Sequence, residues 1–144
     1  MSTADTRRTL EQAIADFNAA FTDPERREAY LRLYDDAIVL HGYPPGVEGL
    51  DGARGFYGQI WDALPDGRLI GEDLIADGDR IATRFRLAGT HEGGPLLGVP
   101  AAGAAIDVTG MTVLRFGTSG RVVERWQVLD QLTLLTQLGV LTLA

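Results

Sequence analysis

The sequence lacks cysteine and lysine altogether, and each absence excludes whole classes of chemistry. Without cysteine, the chain can form no disulfide, no thiolate metal site and no cysteine nucleophile. Without lysine, it can form no Schiff base, no pyridoxal attachment and no phosphate-binding loop of the lysine type. All 13 basic residues are arginine. If the chain is an enzyme, its chemistry depends on carboxylates, imidazoles and phenols, and we expect no cofactor.

Serine and histidine are scarce, which further limits the catalytic groups and metal ligands that the chain can supply. Ser2 and Ser119 are the only serines, and neither lies in the Gly-x-Ser-x-Gly pattern of a nucleophile elbow. His41 and His91 are the only histidines, and they are too far apart to form a helical zinc pair. The sequence therefore predicts no metal site.

Long apolar runs and excess positive charge are also missing. No segment reaches the roughly 20 apolar residues of a membrane span, and the net charge of −7 argues against a nucleic-acid partner. The first residues contain no apolar signal core, so we expect a cytoplasmic protein. A length of 144 residues fits a single domain, 1–144.

Helical spacing dominates the first half of the sequence and strand alternation the second. Helices are predicted at 5–21, after Thr22, and from Ala53 to Leu64, with a short strand at 37–41. Strands are predicted at 68–76, 80–89, 106–116 and 121–129. Three helices followed by a meander of four long strands favour an α+β fold, with the helices packed on one face of a curved, mostly antiparallel sheet.

Arginines occupy one face of the second long strand. Arg80, Arg84 and Arg86 share that face, opposite Ile81 and Phe85. This row is expected to meet either solvent or a partner subunit.

The last strand carries the most informative candidate residue. A period of two places Val122, Glu124, Trp126, Val128 and Asp130 on one face and the odd-numbered residues on the other. A carboxylate beside apolar side chains has a raised pKa, as proton transfer at carbon requires. Alternatively, Asp130 ends the strand and caps the leucine-rich segment that follows.

Several segments together resemble a known family. They lie at 46–49 (Gly-Val-Glu-Gly), 64–66 (Leu-Pro-Asp), 89–93 (Gly-Thr-His-Glu-Gly), 97–100 (Leu-Gly-Val-Pro) and 120–139, which includes Glu-x-Trp-x-x-x-Asp and Gln-Leu-Gly. Over roughly residues 10–140 the chain resembles the SnoaL-like polyketide cyclases, within the cone-shaped fold of ketosteroid isomerases and scytalone dehydratase. The resemblance implies a strongly curved, barrel-like sheet around an internal pocket, and a homodimer.

The resemblance also implies a reaction and a set of site residues. Characterised members close a polyketide ring by an intramolecular aldol reaction without metal or cofactor, with the aspartate of Trp-x-x-x-Asp as acid/base. That position is Asp130 here, and the histidine of the strand end, His91, would line the same pocket.

Further candidates for ligand contact are His41, Trp126, Tyr43, Phe17 and Met111, although core packing or strand-end hydrogen bonding would also explain each of them. The expected ligand is a small apolar or aromatic carbonyl compound.

Two alternatives to a cyclase remain open. The fold could serve as a binding module without catalysis, in which case Asp130 should be paired and face no cavity. An epoxide hydrolase or isomerase would need an Asp–Arg–Asp relay or paired acids, for which Asp107 and Arg115 are the candidates.

Overall fold

The computed structural model describes residues 2–142 and has an α+β fold. Its elements are α1 (Thr3–Ala20), a short 3-10 helix (Pro24–Arg26), α2 (Arg27–Leu31), β1 (Tyr34–His41), α3 (Gly49–Ala63), β2 (Arg68–Asp77), β3 (Arg80–His91), β4 (Ala104–Phe116), β5 (Val122–Leu129) and α4 (Gln131–Gln137). The fold class expected from the sequence is confirmed. The helix count differs, because the leucine-rich segment after β5 forms α4.

The five strands form one curved sheet in the order β1-β5-β4-β3-β2. Neighbouring strands run antiparallel except β1, which pairs with β5 in parallel, so that His41 lies beside Trp126. The β2–β3 hairpin turns at Gly78, whose φ of 59° is the left-handed conformation that glycine adopts without steric cost.

The helices cover one face of the sheet because each carries an apolar stripe. In α1, Leu10 and Phe17 are buried at helical spacing. In α3, Phe56, Ile60 and Trp61 are buried, and the helix ends before Pro65, which cannot continue the backbone hydrogen bonding. The indole N–H of Trp61 donates a hydrogen bond of 3.1 Å to the Phe17 carbonyl and joins the two helices.

Close packing inside the curved sheet requires a glycine at one position. Gly110 of β4 lies opposite Phe85 of β3, and a Cβ at residue 110 would come within 2.5 Å of the Phe85 ring. The missing side chain leaves room for that ring on the face of the sheet that the helices cover. Among residues 2–142, no helix is both long enough and apolar enough to cross a membrane.

Candidate functional site

A cavity lies between the helices and the concave face of the sheet. Its volume is about 60 Å³, and its lining is mostly apolar, including Leu10 and Ile14 from α1, Ile60 from α3 and Leu69 from β2. Engineered apolar cavities of about 150 Å³ admit benzene, so a ring-sized ligand requires some movement of the lining side chains. We call this space the first cavity.

Arg125 of β5 supplies the charged end of the first cavity. Its side chain is buried, with the residue 8% exposed, yet it lines the cavity. Nε donates 3.0 Å to the Thr112 hydroxyl, Nη1 donates to the hydroxyls of Tyr30 and Tyr34, and Nη2 donates 3.2 Å to Oε1 of Gln127. All four acceptors are neutral. No carboxylate of residues 2–142 forms an ion pair with Arg125.

Four tyrosine hydroxyls extend this polar end into a network. The Tyr30 and Tyr34 hydroxyls are 2.6 Å apart, Tyr34 donates 3.4 Å to Tyr57, and Tyr57 contacts Tyr43. Burial raises the pKa of the Tyr34 and Tyr57 phenols above the ordinary value. The phenols are therefore neutral at physiological pH, so that they can donate hydrogen bonds to an oxygen but cannot remove a proton as phenolate.

A second, smaller cavity continues the first toward the surface. Its volume is about 40 Å³, and five residues line both spaces: Phe56, Ile60, Leu87, Gln127 and Leu129. Its outer wall comes from the loops before α3 and after β3, including Pro44 and Leu97, and from the start of α4. The shared wall is therefore a partition of side chains whose movement would join the two cavities.

Asp130 does not face the first cavity. It is exposed, and its carboxylate caps α4: Oδ1 accepts the Thr133 backbone N–H at 3.1 Å, and Oδ2 accepts the Thr133 hydroxyl at 2.7 Å. These bonds lower the pKa of Asp130, first through the Thr133 side chain and then through its backbone. The expectation of a raised pKa beside apolar side chains is wrong, and the capping alternative describes the geometry. Its acid/base role stays a prediction.

His91 lies at the base of the loop that follows β3 and bonds to it. It is 1% exposed at the end of β3, and its Nε2 lies 2.8 Å from the Gly94 carbonyl. The following loop is held by Gly93 and Gly94, whose N–H groups donate to carbonyls at the end of α3. His91 lines neither cavity, and it stabilises the loop that contributes Leu96 and Leu97 to the second one.

Three of the other predicted contacts lie on the outer face of the sheet. His41 stacks on Trp126 with ring centroids 5.2 Å apart, and its Nε2 lies 2.7 Å from Oε2 of Glu124. Met111 is 61% exposed beside Val128. The geometry gives these residues no access to the internal cavities.

Phe17 and Tyr43 lie closer to the predicted site. Phe17 is buried and lines the first cavity. Tyr43 is half-buried in the loop before α3 and contacts the polar end through Tyr57. Of the seven predicted residues, Phe17 alone lines the first cavity among the residues described.

The sequence places Arg125 on one face of β5, but it does not show whether that face lies inside or outside. Strand alternation groups Arg125 with Gln127 and Leu129, and these three line the first cavity. The even-numbered face carries Trp126 and Val128, so the sequence favours it as the inner face of the sheet. This prediction is wrong, because alternation separates the two faces of a strand and does not determine which one the helices cover.

The geometry of the described residues does not form an Asp–Arg–Asp relay in the cavity. Arg115 pairs with Glu124 at 3.0 Å, and Asp107 pairs with Arg86 at 3.2 Å, with all four residues on the outer face. The arginines of β3 likewise lie outside: Arg84 pairs with Glu72 at 2.9 Å. Within residues 2–142, no three His, Asp or Glu side chains are grouped as metal ligands.

Comparison with known proteins identifies the sequence relationship. A family model for SnoaL-like polyketide cyclases matches residues 12–138. AclR, a proposed hydroxylase from Streptomyces galilaeus, is 26% identical over 99% of this chain and 86% of its own, with a TM-score of 0.82. IdmH, a proposed polyketide cyclase from Streptomyces antibioticus, is 30% identical over 90% of this chain and 98% of its own, with a TM-score of 0.66.

A third structure shares the fold at lower identity. A SnoaL-like protein from Jannaschia sp. CCS1 is 21% identical over 97% of this chain and 95% of its own, with a TM-score of 0.81. No curated protein matches the chain significantly.

Proposed function

The chain belongs to the SnoaL-like polyketide cyclase family, and from this we propose that it binds a small, mostly apolar carbonyl compound in the first cavity and promotes intramolecular aldol ring closure. The observation that carries the proposal is the buried Arg125 guanidinium, surrounded by neutral donors and acceptors at one end of an apolar cavity. Such an arrangement stabilises negative charge that develops on oxygen.

The proposed reaction requires a group that stabilises negative charge on oxygen. A base takes a proton from the carbon next to one carbonyl, and the resulting enolate carbon forms a bond to the carbon of a second carbonyl. The π electrons of the second carbonyl move to its oxygen, and this alkoxide takes a proton from the conjugate acid of the base. Arg125 would stabilise the oxyanion at each stage, and the neutral phenol of Tyr30 or Tyr57 would donate a hydrogen bond to it.

The base must come from outside the described lining of the first cavity. Among residues 2–142, neither a carboxylate nor a histidine lines the first cavity. Asp130 follows Leu129 and precedes Gln131, both of which line the second cavity, but its own exposed carboxylate is bound to Thr133. To act as the base, the Asp130 carboxylate would have to break its hydrogen bonds with Thr133. These bonds lower the pKa of Asp130 and favour its capping role.

A simple diketone tests the proposal. Heptane-2,6-dione is small and apolar and closes to a six-membered ring by an intramolecular aldol reaction, which NMR follows directly. We expect the protein to accelerate this closure, and we expect Arg125→Met to lower the rate about 100-fold or more, as the loss of an oxyanion donor does. Arg115→Met is the matched control, because Arg115 pairs with Glu124 on the outer face, and it should leave the rate unchanged.

The second candidate function is a receptor without catalysis. The observation that favours it is the absence, among the described lining residues, of a side chain that could accept a proton at neutral pH. A receptor would bind cyclic ketones in the first cavity and leave the closure of heptane-2,6-dione at its uncatalysed rate. That result would refute the proposed enzyme.

We also propose that the outer face of the sheet pairs with a second copy of the chain. Met111 and Val128 are adjacent on β4 and β5 and are 61% and 73% exposed, and Val39 of β1 is 49% exposed on the same side. Apolar side chains exposed together favour association, because burying them removes apolar surface from water. A cytoplasmic location stays a prediction.

A further inference from the structure

We propose that the ligand occupies the first cavity as a monoanion whose oxyanion is held by Arg125. The inference rests on the proposed ligand binding in this cavity and adds the charge state of the ligand. An aromatic carboxylate and the enolate of a cyclic 1,3-diketone share the required chemistry: one delocalised negative charge on oxygen, attached to an apolar ring.

The positive charge of Arg125 has no carboxylate partner within residues 2–142. A buried guanidinium ordinarily has a carboxylate partner, because removal of an unpaired charge from water costs several kcal/mol. The ion pairs of the described residues all join partly exposed side chains. Arg125 is the buried exception among residues 2–142, and it faces a cavity.

Arg125 has more hydrogen-bond donors than the described residues have acceptors for it. A guanidinium has five N–H groups, and Arg125 makes four side-chain hydrogen bonds, only one of them from Nη2. One N–H of Nη2 therefore has no acceptor within residues 2–142. Gln127 also lines the cavity, and within the same residues its Nε2 donates no hydrogen bond. An oxyanion with two oxygens could accept from both groups.

The described residues supply no countercharge to Arg125. Within residues 2–142, the phenols are the only acidic groups that hydrogen-bond to Arg125, and one of them would have to ionise to balance its charge. Burial holds the pKa of Tyr30 and Tyr34 above the ordinary value, in an environment that already contains the guanidinium. The neutral phenols leave the positive charge available to a ligand.

The shape of the cavity limits the rest of the ligand. Apart from Arg125, Gln127 and the phenols, the lining is mostly apolar and includes Leu10, Ile14 and Leu69; the hydroxyl of Thr83 also lines it but already donates to the Asp73 carbonyl at 2.8 Å. A dianion or a sugar phosphate would leave polar groups unsatisfied against these apolar side chains, which is unfavourable. A monoanion with an apolar ring satisfies both ends.

Two pairs of similar probes, each with one anion and one neutral molecule, test the inference in the wild-type protein. The first pair is benzoate and benzamide, and the second is dimedone, which is an enolate at neutral pH, and 3,3-dimethylcyclohexanone, which is neutral. Calorimetry at pH 7 gives the affinities, and the NMR signal of the Arg125 Nε–H group locates the binding. We expect the anion of at least one pair to bind about tenfold more tightly or better, the factor of one charge-assisted hydrogen bond. The two pairs distinguish a carboxylate ligand from an enolate.

Variants connect the preference to Arg125. Arg125→Met should remove the preference for the anion while the neutral probe still binds, and Arg115→Met should retain it. Equal affinity of anion and neutral probe in both pairs, or a preference that survives in Arg125→Met, would overturn the inference. If Arg125→Met does not fold, the wild-type comparison decides alone.

The failures of the two proposals are distinguishable. If the neutral probes bind in the first cavity as tightly as the anions and heptane-2,6-dione is cyclised, the charge inference is wrong and the proposed function stands. If the anions bind preferentially and heptane-2,6-dione is not cyclised, the inference stands and the catalytic proposal is wrong. If no probe of either pair perturbs the Arg125 signal, the charge inference is wrong, and the catalytic proposal is wrong as well if heptane-2,6-dione is not cyclised.

Discussion

The hydroxyl of Thr133 donates a hydrogen bond of 2.7 Å to Oδ2 of Asp130, and this bond fixes the carboxylate at the start of α4. The backbone N–H of Thr133 donates to the other carboxylate oxygen at 3.1 Å. Both oxygens are therefore occupied by one residue of the helix that Asp130 begins. The side chain that the family resemblance assigns to proton transfer thus has a structural role in this chain.

Substitution of Asp130 separates the capping role from a catalytic one. Asparagine caps helices about as well as aspartate, whereas alanine cannot, so Asp130→Ala should lower the free energy of unfolding by about 1 kcal/mol and Asp130→Asn by less. If capping is the only role, Asp130→Asn should cyclise heptane-2,6-dione at the wild-type rate. Urea unfolding and NMR measure the two quantities. A folded Asp130→Asn protein without activity would instead restore the acid/base assignment.

Removal of one phenol tests the hydrogen bonding of Arg125. Tyr34 is 1% exposed, and its hydroxyl accepts from Nη1 of Arg125. Tyr34→Phe leaves a buried donor with one acceptor fewer, which should lower the free energy of unfolding by about 1–3 kcal/mol. Tyr43→Phe is the control, because Tyr43 is half-buried and its hydroxyl hydrogen-bonds to Tyr57, whereas the hydroxyl of Tyr34 accepts directly from Arg125. Urea unfolding should give the smaller loss for Tyr43→Phe, and equal losses would contradict the assigned roles.

Two adjacent glycines provide a matched test of the loop after β3. A Cβ at Gly93 would lie 1.9 Å from the Asp62 carbonyl oxygen, whereas a Cβ at Gly94 would lie 3.6 Å from the Asp62 side chain. Gly93→Ala should therefore displace the loop from α3 and lower the free energy of unfolding by about 1–3 kcal/mol, as overpacking does. Gly94→Ala should be tolerated. Thermal unfolding of both variants measures the difference, which should vanish if the loop is not held against α3.

The outer face of the sheet gives a prediction about assembly. Val128→Arg places a charge among exposed apolar side chains and should shift the protein toward monomer in sedimentation velocity experiments. Leu132→Arg, at a comparably exposed position on α4, should leave the association unchanged. A wild-type protein that sediments as a monomer at all concentrations would rule out the proposed dimer.

Acid should destabilise the fold partly through Asp66. The backbone N–H of Thr90 donates 2.6 Å to this carboxylate and its hydroxyl donates 2.8 Å, and these bonds lower the pKa of Asp66 below 3.8. A carboxylate with a lowered pKa in the folded state contributes stability that is present above the unfolded pKa and is lost as the pH falls through the folded pKa. Asp66→Asn should therefore weaken the loss of stability below about pH 4, as measured by thermal unfolding. An identical pH profile for the variant would show that Asp66 contributes nothing.

The local elements follow from the sequence because their causes are local. Helical spacing in α1 and α3, the proline that ends α3 and the glycine turn between β2 and β3 each involve residues near one another in the chain. The α+β class follows from their order. The segment after Asp130 does not show its structure in the same way. The seven residues of α4 are too few for their spacing to distinguish a helix from a turn.

By itself, the sequence determined the family, the α+β class and the separation of each strand into two faces, since these depend on residue order and spacing. Only the tertiary structure decided which face of β5 lies inside. Alternation is symmetric between the two faces, and α1 and α3 break that symmetry by covering the side that carries Arg125 and Gln127. The same packing leaves Trp126 outside with His41 and turns Asp130 toward Thr133. The buried cation depends on contacts between residues up to 95 positions apart, which no local pattern encodes.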